Sequence, residues 1–321
     1  MHSVKNTVIL TLILLTAGLH ASGQQRAITS TYMFNGLMIN PAYAGSLNVL
    51  SITGVHRDQW VNVDGAPQFQ ALSAHTSLMS NRIGVGLVAS KDQVGVHEDV
   101  GLYGSYAYKI RTSVGILAMG LQGGFNSRRS NFTLLTLLDT NDPALIGQQT
   151  NFSPNVGAGL YFANQDWFLG VSVPYILENK LHQDVPNIED IVVDIRDRSF
   201  IQSRESRYYY ATAGGVLHLS PKIKLNPSVL LRYQEQAPFS FDLNANVIFD
   251  EIAYAGVSVR RGGDITFLAQ LILNENFRVG YAYDAITNDL NDYSAGSHEI
   301  LLNYRIKLRN YKKDPQCPVY F

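Results

Sequence analysis

Residues 297–308 read S-H-E-I-L-L-N-Y-R-I-K-L. His298, Ile300, Leu302, Tyr304, Ile306 and Leu308 fall on one side of this run, and Glu299, Leu301, Asn303, Arg305 and Lys307 on the other. A side-chain period of two is that of a β-strand, here with one mainly apolar and one mainly polar face. The pattern recurs. Similar runs span residues 49–59, 68–77, 83–91, 100–110, 114–126, 153–163, 167–176, 207–219, 222–234, 239–249, 252–260, 264–273 and 277–285, about 14 strands in all. In residues 239–249, Phe239, Phe241, Leu243, Ala245, Val247 and Phe249 oppose Ser240, Asp242, Asn244, Asn246, Ile248 and Asp250. Polar groups this dense along one face need water or one another, because each left unpaired in hydrocarbon is costly.

The connections carry the second half of the signal. S-L-M-S-N-R, K-I-R-T-S, A-N-Q-D, L-S-P-K, F-D-E and L-N-E-N are tight. Between them lie longer links: W-V-N-V-D-G-A-P, D-Q-V-G-V-H-E-D, residues 128–152, residues 177–206, E-Q-A-P, R-G-G and residues 287–296. Outer-membrane barrels have short periplasmic turns and longer external loops. With both termini in the periplasm, the first link and every second one after it are external. The expectation is an all-β fold: a transmembrane antiparallel up-and-down β-barrel of about 14 strands in the cell outer membrane. A soluble sandwich or lipocalin-like barrel alternates too, with its apolar face inside. Strand length, turn asymmetry and the aromatics near strand ends (Tyr108, Trp167, Tyr233, Phe249 and Phe277) favour the membrane. Pro227, inside a strand, is expected to mark a bulge. The many strand glycines suit wall curvature or close packing.

Composition narrows the function classes. Net charge is −1 and 16% of the residues are charged, which leaves no electrostatic footprint for nucleic acid. The mean hydropathy of −0.02 lies between a helical membrane protein and a solvated domain, as a wall with one lipid face and one wet face should. Residues 1–23 read as a signal peptide: Lys5, an apolar run from Val8 to Leu19, then Ala21-Ser22-Gly23, with Gln24 as the mature start. The one cysteine, Cys317, excludes an internal disulfide and any CxxC motif. The domain plan is a signal peptide (1–23), a plug or rim segment (24–48), the barrel (49–308) and a C-terminal periplasmic tail (309–321).

Two segments go beyond architecture: Y-M-F-N-G-L-M-I-N-P-A-Y-A-G-S from Tyr32 to Ser46, and R-D-Q-W-V-N-V-D-G-A-P-Q from Arg57 to Gln68, followed by S-A-H-T at residues 73–76. Together they resemble the PorP/SprF family of type IX secretion outer-membrane proteins of Bacteroidetes. V-G-A-G-L-Y (156–161), L-G-V-S-V-P (169–174), L-E-N-K (177–180), P-S-V-L-L-R-Y (227–233), D-L-N-A-N (242–246) and G-S-H-E-I (296–300) agree, in the expected order. The resemblance implies a role in export or surface attachment of large proteins with a C-terminal sorting domain, such as adhesins, in some members tied to gliding motility. Implied partners are that cargo and periplasmic or peptidoglycan-associated secretion components, besides outer-membrane lipid. The other reading is a passive porin or hydrophobic-solute transporter, for which the mixed-sign positions Lys222, Lys224, Arg232, Asp242, Arg278, Asp284, Arg305 and Lys307 would line a wet pore.

The N-terminal segment is too apolar to float free. Either it tucks into the lumen or its periplasmic mouth as a plug, or it docks at the rim; Tyr32, Phe34, Asn40, Pro41 and Tyr43 are the candidate plug or partner contacts. Arg57, Gln59, Trp60, Asp64, Gly65 and Pro67 are the candidate contacts of the first external link, with Asp64-Gly65 suited to a turn. No catalytic, cofactor or metal site is expected. Ser73 and His75 share a strand face and His298 adjoins Glu299, but such spacings are common in strands. Asp139, Asp142, Glu189, Asp190 and Asp194 read as loop carboxylates rather than a calcium site. In the tail, Phe321 lies beyond Pro315 and Pro318, so it cannot extend the closing strand.

Overall fold

The computed structural model describes residues 28–79, 81–134, 147–179, 205–235, 237–261, 264–287 and 289–308. These form one closed antiparallel sheet. Its segments are β1 (Leu50–Asp58), β2 (Gln68–Leu78), β3 (Ile83–Val94), β4 (His97–Arg111), β5 (Ile116–Asn131), β6 (Gln148–Ala163), β7 (Trp167–Val173), β8 (Tyr208–Gly215), β9 (Leu217–His218), β10 (Ile223–Gln234), β11 (Ser240–Phe249), β12 (Ala253–Arg260), β13 (Ile265–Ile272), β14 (Phe277–Ala285) and β15 (Ser297–Ile306). β9 continues β8 beyond Val216, on the same partner β10, so the wall has 14 strands. The seam closes where β1 pairs with β15, from Leu50↔Ile306 to Asp58↔His298.

The faces are inverted relative to a soluble protein. In β15, Glu299, Leu301 and Asn303 are buried, whereas Ile300, Leu302 and Tyr304 stand about half exposed. In β11, Ser240, Asp242, Asn244 and Asn246 point inward and are buried, and Leu243 and Phe249 point outward. A polar inside and an apolar outside suit a wall solvated by lipid, where closure also leaves no unpaired strand edge. Tyr108, Trp167, Tyr233 and Phe249 are all exposed on the outer face. Leu302→Arg, at the middle of β15, is therefore expected to cost about 2–4 kcal/mol of stability in lipid vesicles, and Ile306→Arg, near the interface, about 1 or less. Denaturant titration of the two refolded variants measures the difference; equal costs would mean that this face is not in lipid.

Two local expectations change. The link D-Q-V-G-V-H-E-D is mostly strand: β3 and β4 pair as far as Val94↔His97 and turn on Gly95-Val96. The ladder outlasts the hydrophobic alternation because charged pairs replace it, with Lys91 at 2.7 Å from Glu98 and Arg128 at 2.6 Å from Asp99. Pro227 marks no bulge. The register of β10 on β8 and β9 is the same on either side of it (Ser228↔Gly214, Leu225↔Leu217), so no residue is inserted. The ladder simply breaks opposite the ring that lacks an N–H.

Candidate functional site in the barrel lumen

Residues 28–49 do not join the wall. They cross the lumen as a strap made of three 3-10 turns, Tyr32–Phe34, Gly36–Met38 and Pro41–Tyr43. Asn40 shapes the last of these. Its Oδ1 accepts from the Ala42 N–H at 2.9 Å, with Pro41 preset at the first position of the turn, and its Nδ2 donates to the Leu160 carbonyl at 2.9 Å. One side chain thus caps the strap and fixes it to β6. Apolar packing does the rest. Leu37, Ala42, Tyr43 and Ala44 bury against Val88, Ala107, Ala118, Tyr161 and Ala163, while Tyr32 and Ile39 bury against Tyr210 and Leu230. The wall meets the strap backbone closely at glycines. A Cβ on Gly84 would lie 1.9 Å from the Ala44 carbonyl oxygen, and one on Gly120 would lie 2.2 Å from the Ala42 nitrogen. A small gap of about 40 Å³ remains beside Tyr32, Asn40 and Tyr43.

The strap's first residues sit at the end of the barrel that carries the long links. There a belt of polar side chains crosses seven adjacent strands: Arg232 on β10, Asp242 on β11, Arg260 on β12, Thr266 on β13, Asp284 on β14, Glu299 on β15 and Arg57 on β1. Arg57 bridges Asp284 at 2.6 Å and Glu299 at 3.1 Å, and all three are almost wholly buried. Arg260 and Arg232 bracket Asp242 at 3.0 and 3.2 Å. The first group carries a net −1 and the second a net +1, so the belt as a whole is neutral. The strap docks on it. Glu299 accepts the backbone N–H groups of Ser30 and Thr31, at 2.7 and 2.9 Å, and the Thr31 hydroxyl. Ser30 Oγ donates to Asp284 at 2.8 Å and accepts from Arg57 at 2.8 Å. Beside the belt, in the link before β13, burial raises the pKa of the Asp264 carboxyl while Arg260 opposes the shift.

The strap's last residues sit at the tight-turn end. The Gly45 N–H donates to His75 Nδ1 at 3.2 Å, the Gly45 carbonyl accepts from Lys109, which also reaches Asn81, and Asn48 accepts from Ser77 at 3.1 Å. Ser77 and Lys109 are close to the tight turns after β2 and β4. The strap therefore spans the lumen from one mouth to the other before the chain enters β1.

Of the candidate plug contacts, Tyr32, Asn40, Pro41 and Tyr43 are buried in the lumen, and Phe34 meets Tyr254 edge-on at 5.9 Å. The first-link set divides. Arg57 leaves it: in the period of two its side chain faces inward, and it is 4% exposed. Gln59 and Pro67 close the link through a 2.9 Å backbone bond, Trp60 donates its N–H to Ser297 at 3.2 Å, and Asp64 and Gly65 form the exposed turn, with Gly65 in the left-handed region. Ser73 and His75 serve the strap, since Ser73 donates to Asn35 at 3.0 Å. His298 faces outward and pairs with the Tyr281 hydroxyl at 2.6 Å. Of the mixed-sign positions, Arg232, Asp242 and Asp284 belong to the belt, Lys224 pairs with Glu251 and Arg305 with Asn303, while Lys222 and Lys307 are exposed at the tight turns beside Asp250 and Glu275. Lys307 holds the Glu275 carboxyl below the usual range. Among the described residues no cluster of three or more His, Cys, Asp or Glu could hold a metal. Asp139, Asp142, Glu189, Asp190, Asp194 and the tail from 309 lie outside the described residues.

The neutral belt was the feature missed in the sequence. Its signal was present: each charged member falls within four residues of its strand's long-link end, on the inward face. Only the registers show that they share one level.

A closed 14-stranded barrel, apolar outside and polar inside, with its own N-terminal segment through the lumen, defines a strapped outer-membrane β-barrel. The chain belongs to the family of type IX secretion system membrane proteins PorP/SprF, whose pattern it matches over residues 21–304. No curated protein matches it in sequence. Among solved structures it is similar to the Acinetobacter baumannii outer membrane protein Omp33, with 7% identity over 81% of this chain and 99% of that one and a TM-score of 0.43. It is also similar to a Pseudomonas aeruginosa FadL homologue, with 12% identity over 88% and 94% and a TM-score of 0.42. The KdgM porin gives 10%, 79% and 98%, and 0.36. At such identities and scores nothing those proteins bind or transport passes to this chain.

Proposed function

We propose that this barrel serves the export or surface attachment of large proteins bearing a C-terminal sorting domain, adhesins of gliding motility among them, and that it is not an enzyme. The observation that carries the reading is the family match over nearly the whole chain. The filled lumen supports it over the passive channel. The strap packs apolar side chains against the inner wall, and the belt charges pair with one another rather than facing an open channel. The side chains that a hydrolase reading would recruit, Ser73 and His75, are committed to Asn35 and Gly45. The partners on this reading are the cargo and periplasmic or peptidoglycan-associated components of the secretion machine.

Deletion of the gene is expected to remove a subset of sorting-domain proteins from the cell surface and medium, measured by quantitative proteomics, with recovery on complementation. Purified protein in liposomes is expected to admit sugars slowly. An unchanged surface proteome together with rapid sugar influx would replace this reading with a porin.

A further inference from the structure

The two mouths of the lumen differ in charge. At the long-link end the belt pairs its cations and carboxylates with one another. The tight-turn end is taken as its turns and the four strand residues beside each. There Lys222, Lys224 and Lys307 pair with Asp250, Glu251 and Glu275, at 3.6, 2.5 and 2.5 Å. The other charged side chains of that end, among the described residues, are Arg82, Lys109, Arg111, Arg278 and Arg305 against Asp166 alone, a net charge of +4. Lys109 holds the Gly45 carbonyl and Arg305 donates to Asn303 at 3.0 Å, both neutral acceptors. The Arg278 guanidinium has no hydrogen-bond or ion-pair partner among the described residues, and its Nε is buried. The charge also has a side. Lys109 and Arg111 on β4, Arg278 on β14 and Arg305 on β15 all take the inward side of the strand period. The outward positions beside them, Tyr108, Ile110, Tyr304 and Ile306, are exposed and uncharged.

We infer that this mouth docks an acidic segment of a periplasmic protein. In an outer-membrane barrel the tight turns face the periplasm. Like charges gathered around one opening repel each other and draw an anionic partner from a distance. A chain bearing carboxylates can enter the mouth beside the end of the strap and give Arg278 the partner that the wall withholds, where a charge-assisted hydrogen bond is strong. Lipid phosphates fit the pattern less well, because the cations face the lumen and the lipid side of the same strands is apolar. That the docked protein is a component of the secretion machine rests on the function proposed above; the dock itself rests on the charges and their side.

The dock is tested with the full chain in phosphatidylcholine nanodiscs, titrated with fluorescent decaglutamate and followed by anisotropy. Saturable binding is expected, weaker at physiological salt than at low salt. Arg278→Gln with Arg305→Gln is expected to weaken it about tenfold or more. Arg82→Gln with Arg111→Gln, both exposed and free of any packing role, is expected to weaken it about threefold to tenfold and keeps the test open if the first pair fails to fold, which heat-modifiable migration reports. Arg129→Gln, an exposed cation at the long-link end, is the control and is expected to bind as the wild type does. Absence of saturable binding by the wild type overturns the inference, and so does a loss at Arg129→Gln equal to that of the tight-turn pairs. Binding that disappears when anionic phosphatidylglycerol is added to the discs overturns it too, since the cations would then be held by lipid phosphate. The function proposed above is judged separately, by the surface proteome of the gene deletion. Decaglutamate binding with an unchanged surface proteome upholds the dock and removes the secretion machine as its partner.

Discussion

Arg57→Ala is expected to destabilise the folded barrel by about 3–5 kcal/mol, because it leaves two buried carboxylates without their cation. Asp284 and Glu299 are almost fully enclosed, and the hydrogen bonds from Ser30, Thr31 and Thr266 supply no compensating charge. The cost falls on the strap first. Its outer anchor is built on the same carboxylates, so protons or water must enter the belt and the Ser30–Thr31 end comes loose. Urea unfolding in vesicles measures the stability, and protease cleavage within residues 28–48 reports the strap. A triple variant with Arg57→Met, Asp284→Asn and Glu299→Gln removes the three charges of this group together and is expected to recover much of the loss. A single Arg57→Ala within about 1 kcal/mol of wild type would mean that the belt is already wet and carries little of the anchoring.

The second large effect is steric. Gly84→Val places its first side-chain carbon where the Ala44 carbonyl oxygen now lies, and Gly120→Val does the same at the Ala42 nitrogen. Both obstacles are backbone, so no rotamer relieves them. Overpacking typically costs about 1–3 kcal/mol per site. A shift of about 3 kcal/mol raises the share of barrels with a displaced strap roughly 150-fold. The wall registers lie on the other side of the clash and are expected to persist. The double variant should therefore still fold and be heat-modifiable, yet conduct more in planar bilayers than the wild type does. Gly54→Ala is the matched control, since a Cβ there meets nothing within 4 Å. A silent double variant with an intact barrel would show that the strap can shift and still seal.

The contrast between these residues shows what a linear reading can and cannot hold. Every strand was legible, because lipid on one side and a polar lumen on the other impose a period of two that survives in residues such as those of β15. The mixed-sign side chains were legible as inward-facing. Their pairing was not, since Arg232, Asp242, Arg260, Asp284, Glu299 and Arg57 come from six strands and meet only through the stagger of the sheet. Read without that stagger, the same charges suggest a wet pore; with it, they neutralise one another and hold Ser30. The apolar content of the N-terminal segment left a plug and a docked rim both open, and it said nothing of the segment's direction, because hydrophobicity has no polarity along the chain. Asn40 is an intermediate case. The N-P sequence announces a turn, whereas the reach of its amide to Leu160 depends on the absence of a side chain at Gly159 on β6.

The Arg57–Glu299 pair lies across the seam where the first and last strands meet, and both residues grip Ser30, 269 positions upstream of Glu299. This ties the order of assembly to the finished shape. A ring cannot be threaded by a blunt, packed cord once it is shut, so the leading segment must already lie in the nascent cylinder when the final strand arrives. The last zipping step then brings a carboxylate to two waiting amide protons and a guanidinium at once. Such a joint is complete only when both ends of the wall and the strap are in place together.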